Sequence, residues 1–209
     1  TGVITLTAPN TDVDRTITLP DSAGSLLDTT SILDATKLSG NLPALNGSAL
    51  TNLPAALTSG TAVATTSGTS IDFTGIPAGT KRITVMFSGV STNGASLVQI
   101  QIGDGSVVTT GYAGGAAITG TSSAGANITT GLPIEPSTGA TVFRYGWAIL
   151  ATLGSNVWVM SSQTNRSDSP YMQIGGGSRT LTGSLDRVRI TTVNGTDTFD
   201  AGSINILYE

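Results

Sequence analysis

From Ile71 to Glu209, apolar and polar residues alternate in short runs. Ile83, Val85 and Phe87 alternate with Thr84, Met86 and Ser88. Val98, Ile100 and Ile102 alternate with Gln99 and Gln101, Val188 and Ile190 with Arg187 and Arg189, and Ile204, Ile206 and Tyr208 close the chain. A period of two built on β-branched residues predicts half-buried strands. Phe143, Tyr145, Trp147 and Ile149 fall on one face of a further strand whose other face carries Arg144, Gly146 and Ala148. Tyr145 and Trp147 are therefore expected in the core beside Phe143. Trp158 alternates with Val157 and Val159, and its side stays open. Turn chemistry separates the runs at Asn93-Gly94, Gly103-Asp104-Gly105, Gly154-Ser155-Asn156 and Asn194-Gly195. Gly175-Gly176-Gly177 reads as a bulge or tight turn. The sum is an all-β head of two antiparallel sheets packed face to face, with a jelly roll the first choice among such sandwiches.

The first part of the chain has a different pattern. Ile4, Leu6 and Ala8, then Ile17 and Leu19, mark two short strands that cannot stand alone in water. Ser31 to Lys37 could turn once or twice as a helix, with Ser31 and Asp34 as a capping box. Leu38, Leu42, Leu45, Leu50, Leu53 and Leu57 then recur through an uncharged stretch interrupted by Pro43 and Pro54. Each proline pushes the residue before it out of the helical region, so the leucines ride on an irregular segment that cannot bury them. Meeting the same leucines from other copies around a symmetry axis hides them. The expected organisation is a β-rich, intertwined stalk segment (1–37), a collar (38–58) and a β-sandwich head (59–209), assembled as a homotrimer through the collar leucines.

Composition narrows the chemistry. The net charge is −4, charged residues make up 11%, and there is no basic run, so a nucleic-acid partner is not expected. There is no Cys and no His, which removes disulfides, thiolates and imidazole ligands or bases. No window has the length and apolarity of a membrane span, and no signal peptide opens the chain. Because the sequence begins at Thr1 without a Met, it is expected to be part of a longer protein whose attaching segment is missing.

TITLPDSAGSLLDTTS followed by LSGNLPALNGSALTNLP resembles the shaft-to-head region of tail-fibre and related virion proteins of tailed bacteriophages. TSIDFTGIPAGTKRITVMFSGVSTNGASLVQIQIGDG and the closing INILYE are similar to the terminal head domain of the same fibres. The resemblance implies a homotrimeric, virion-borne receptor-binding protein with a β-sandwich head. Its other virion tail or fibre partners would attach through the missing N-terminal part, and its target would be a bacterial surface glycan or protein. No cofactor and no membrane insertion are implied. A lectin-like domain of a bacterial adhesin and a polysaccharide-degrading tip are the alternatives.

A glycosidase needs two carboxylates flanking a bond, but the acidic residues are scattered and mostly occupy turns, and Glu135 stands between Pro133 and Pro136. The Gly-rich segments at Gly103 and Gly175 follow strands without opening a helix, so they fail as nucleotide loops. Asp104 and Asp168 have turn oxygens suited to calcium but lack Asp-x-Asp spacing. No catalytic or metal residues are assigned. Two stretches, 103–125 and 161–179, read as long strand-poor connections, and loops on a rigid scaffold commonly carry recognition. They hold Asp104, Tyr112, Asn165, Arg166, Asp168 and Tyr171, a mixture of carboxylate, amide, guanidinium and aromatic surface suited to a polyhydroxylated ligand.

Overall fold

The computed structural model describes residues 57–119, 125–136 and 138–209. The two stalk strands, the turn over 31–37 and Leu38 to Leu53 of the collar lie outside the described residues. Leu57 is described, and it is exposed.

Among the described residues the fold is all-β, without helix, and consists of two antiparallel sheets. The strands in chain order are β1 (Thr58–Ser59), β2 (Val63–Ala64), β3 (Ser70–Thr74), β4 (Arg82–Thr92), β5 (Val98–Gly103), β6 (Ala113–Thr119) and β7 (Gly125–Ile128). They continue with β8 (Leu132–Pro133), β9 (Arg144–Gly154), β10 (Val157–Arg166), β11 (Ser169–Thr180), β12 (Arg187–Thr192) and β13 (Phe199–Tyr208). The nine-stranded sheet has the order β1-β13-β4-β9-β10-β11-β6-β7, with β2 also paired to β13, and the four-stranded sheet has the order β3-β12-β5-β8.

Alternation explains which residues meet between the sheets. Ile83, Val85, Phe87, Ile204 and Ile206 from the large sheet join Ile71, Phe73, Ile100, Val188 and Ile190 from the small one in a single buried cluster. This is the arrangement of a β-sandwich. Ser155 and Asn156 join β9 to β10 with φ of 50° and 59°. Both central residues are left-handed, as a two-residue hairpin turn matched to strand twist requires.

Three expectations are corrected. Gly175-Gly176-Gly177 is neither bulge nor turn: it lies in regular register opposite Ser162, Ser161 and Met160 on one side and Ala116, Gly115 and Gly114 on the other. Register shifts occur elsewhere, among them at Ser88/Val90 and Ala201/Ser203, where Gly89 and Gly202 have positive φ and approach so closely that a Cβ on Gly202 would lie 2.2 Å from the Gly89 carbonyl oxygen. The stretch 161–179 is not a loop, since most of β10 and nearly all of β11 fall within it, whereas in 103–125 residues 104–112 form an irregular connection that leads into β6. Glu135 pairs with a cation and not with another acid, in keeping with the scattered carboxylates. The third correction concerns β9 and determines the site.

Candidate functional surface

In β9 the inward residues are Arg144, Ala148 and Leu150, each with no exposure, while Tyr145 and Trp147 face solvent with 48% and 38% exposure. The phase is the reverse of the expected one. Arg144 fills an interior place because its charge is neutralised there. Its Nε donates to Glu135 Oε2 at 2.6 Å, and the guanidinium also donates to the carbonyls of Val142 and Val90 and to the Thr138 hydroxyl. Glu135 Oε1 accepts from the Val98 N–H at 3.0 Å. A buried ion pair with its remaining donors and acceptors satisfied is tolerated, whereas either partner alone is strongly destabilising. Trp158, whose side the sequence leaves open, faces inward and is buried.

With β9 in this phase, the outer face of the large sheet can be read from the cross-strand register. One row runs Met86, Trp147, Gln163, Ile174, Ala117 and Gly125. The next runs Ile149, Ser161, Gly176, Gly115 and Asn127. Neither contains a charge. Charged groups sit at the two ends of the face, Arg82 with Glu209 at one and Arg166 with Asp168 at the other. Between the rows lies a shallow concavity of about 880 Å³ whose lining includes Trp147, Ser161, Gln163, Ile174, Gly176 and Asn127. A smaller one of about 370 Å³ adjoins it, sharing Gly115 and Asn127.

The glycines of this region fall into two groups. Inward-facing Gly114, Gly175 and Gly177 are dictated by packing: a Cβ there would lie 2.7, 2.1 and 2.3 Å from carbonyl oxygens of Gly131, Pro133 and Ala113. Outward-facing Gly115 and Gly176 are cross-strand partners where a Cβ is crowded less severely. A Cβ would come no nearer than 3.4 Å to Asn127 Oδ1 at the first and 3.2 Å to the Met160 carbonyl oxygen at the second. Glycine within a strand costs about 0.5–1 kcal/mol relative to alanine. What Gly115 and Gly176 provide is a flat floor between Trp147 on one side and Asn127 on the other.

The six residues singled out from sequence do not form one site. Tyr112 is buried, 3% exposed; its hydroxyl accepts from the Ile102 N–H and donates to the Val108 carbonyl, both at 2.8 Å. Burial pushes its pKa up to about 12. It is a core strut: it ends the connection before β6 with its ring in the core and its hydroxyl tied to the backbone at Ile102 and Val108. Asp104 accepts from the Thr182 hydroxyl at 2.6 Å and from the Gly183 N–H, and these bonds hold its carboxyl below the ordinary range. It ties β5 to the connection following β11. Asn165, Arg166, Asp168 and Tyr171 lie around the β10–β11 turn, at the opposite end of β11, a twelve-residue strand roughly 40 Å long. Arg166 grips Asp168 through two bonds of 2.8 and 2.7 Å, which keep the Asp168 carboxyl below its usual range. Of the six, Asn165 shares the outer face: it is exposed and lies opposite Tyr145 and Met172.

Every carboxylate among the described residues has a named partner. Beyond those above, Asp72 and Asp186 pair with Arg189 and Arg187, Asp197 accepts from Asn194 and the Ser96 N–H, and Asp200 accepts from Ser91. Among the described residues no group of three or more acidic side chains converges to hold a metal. No protein-family model, curated protein or solved structure matches this chain.

Proposed function

We propose that this chain is the distal, host-attaching part of a tailed-phage fibre, a homotrimeric virion protein that binds a bacterial surface structure without chemically altering it. The observation that carries this reading is the outer face of the large sheet, where aromatic, amide and hydroxyl groups surround a concave, uncharged floor. A concave surface with an aromatic ring and a few convergent polar groups is the usual form of a ligand site. The carboxylates among the described residues are engaged in ion pairs and hydrogen bonds that hold the fold, which favours binding over acid–base chemistry. The phage resemblance of the linear sequence supplies the setting.

The strand order supports the finer jelly-roll reading. If β3, β4, β5, β6, β7, β8, β9 and β12 are taken as the eight consecutive strands of a jelly roll, the small sheet has the order first-eighth-third-sixth. The large sheet then has second-seventh-fourth-fifth, with the β10–β11 hairpin inserted between β9 and β6 and β13 added beside β4. The long hairpin thereby broadens the face that carries the concavity.

Cell binding by the labelled chain of residues 1–209 is the test. It should bind a susceptible bacterial strain, and Tyr145→Ala with Trp147→Ala should remove that binding while the fold persists. Light scattering should give three times the 21.0 kDa chain mass. A monomer, or cell binding indifferent to the double variant, contradicts the proposal. Release of new reducing ends from isolated surface polysaccharide contradicts its non-enzymatic part.

A further inference from the structure

We infer that the concavity binds an internal stretch of a neutral polysaccharide chain, lying across the strands, with one sugar ring stacked on Trp147. This rests on the attachment reading and gives it a site and a ligand class. Three features select that ligand. The floor between Trp147 on β9 and Asn127 on β7 crosses four strand spacings, roughly 19 Å, which suits several linked sugars better than one. The adjoining hollow, lined by β6 and β7 past Gly115 and Asn127, lengthens the path along these two strands, so the ligand need not end at Asn127. The larger concavity presents an indole, side-chain amides and a hydroxyl, matching the apolar faces and hydroxyl rims of pyranose rings.

Charge narrows the class further. No Lys, Arg, Asp or Glu lines either hollow. A carboxylated or phosphorylated repeat would lose hydration on entry with no cation to replace it, whereas neutral hydroxyls exchange water for Gln163, Ser161 and Asn127. Curvature argues against a second copy of the same face as occupant. Two concave surfaces related by a two-fold axis leave a void between them, whereas an interface core packs as densely as a protein interior.

The experiment uses the 1–209 chain on an array of isolated bacterial polysaccharides, half with neutral and half with acidic repeats. Parallel samples carry Trp147→Ala, Asn127→Ala or Ala117→Tyr, the last placing a ring over the floor at an outward strand position. Binding should be confined to neutral polysaccharides, fall about tenfold or more in Trp147→Ala and Ala117→Tyr, and fall less in Asn127→Ala. Binding mainly to acidic polysaccharides, retention of affinity in both Trp147→Ala and Ala117→Tyr, or no glycan binding at all overturns the inference. So does a change of assembly mass in Trp147→Ala, which would make the face an interface between copies. The attachment reading is judged separately by whole-cell binding, so a protein that adheres to cells yet ignores every glycan fails only the inference.

Discussion

The outer faces of the two sheets are built to different rules. On the small sheet Arg189, between Asp72 and Gln101 in the register, grips the Asp72 carboxylate with bonds of 2.6 and 2.9 Å, and Arg187 grips Asp186 beside it. These exposed cross-strand charge pairs have small net worth, while Gln99 and Gln101 on the same face are covered and the hollow beside them includes Arg189 in its lining. The large sheet keeps its charges at its two ends and leaves the middle to Trp147, Tyr145, Ile174, glycine and amides. Both faces belong to one sandwich with one core, yet they differ in charge. On the proposed reading, a face that gives up charge and keeps small residues on its floor leaves room for an occupant.

The largest expected effect breaks the comparison at its origin, the phase of β9. Arg144→Ala or Glu135→Ala should cost about 3–5 kcal/mol in denaturant unfolding, because each strands a buried charge. Replacing both with Met should cost far less than the sum. Additive losses would mean that the pair does not set the phase.

Next in size is Tyr112→Phe, which leaves the Ile102 N–H without its acceptor and should cost on the order of 1–3 kcal/mol. It also carries a pH signature. The folded pKa is raised to about 12 from the ordinary 10, so the contribution is intact below about pH 10 and is lost as pH rises towards 12. Thermal unfolding across that window should show a steeper decline for the parent chain than for Tyr112→Phe. Equal slopes would place Tyr112 at the surface.

Smaller effects sharpen the contrast on the charged side. Arg189→Ala on the small sheet should change stability by about 1 kcal/mol or less and leave cell binding unaltered. Acidification has a defined sign: Asp104, Asp168 and Asp186 are depressed, Asp186 to about 2 from 3.8. Their stabilisation is present above about pH 4 and is lost as pH falls towards 2. Asp168→Ala at the hairpin turn should alter binding least of all; a loss as large as that of Trp147→Ala would return recognition to the turn.

Much of this fold is legible in the sequence. The alternation at Ile83, Val98, Val188 and Ile204 marks strands whose apolar positions are buried, because those runs have one apolar and one polar side. The alternation at Phe143 misleads because both sides of β9 hold bulky groups. An arginine beside three aromatics looks solvent-facing unless its partner is known, and Glu135 stands nine residues away in a proline-flanked connection. Leu150, in phase with Arg144 and Ala148, was the available signal for the opposite orientation. The site was illegible for a related reason. Gly, Ser and Ala stretches suggest loops, yet small residues in register across β6, β10 and β11 make a floor, and only the pairing shows that Gly115 faces Gly176. The collar leucines from Leu38 to Leu53, on which the trimer expectation rests, lie outside the described residues.

The most direct measurement is fluorine NMR of the 1–209 chain labelled with fluorotryptophan, its two resonances assigned through Trp147→Phe. Trp158 is buried at 3% exposure and Trp147 open at 38%. The Trp147 signal should therefore show a solvent isotope shift and broadening by a soluble paramagnet, lose both when a neutral surface polysaccharide is added, and leave Trp158 unmoved. A Trp147 signal shielded from solvent in the free chain, or one that ignores a polysaccharide the chain is shown to bind, would contradict the assignment of the large sheet's outer face as the binding surface.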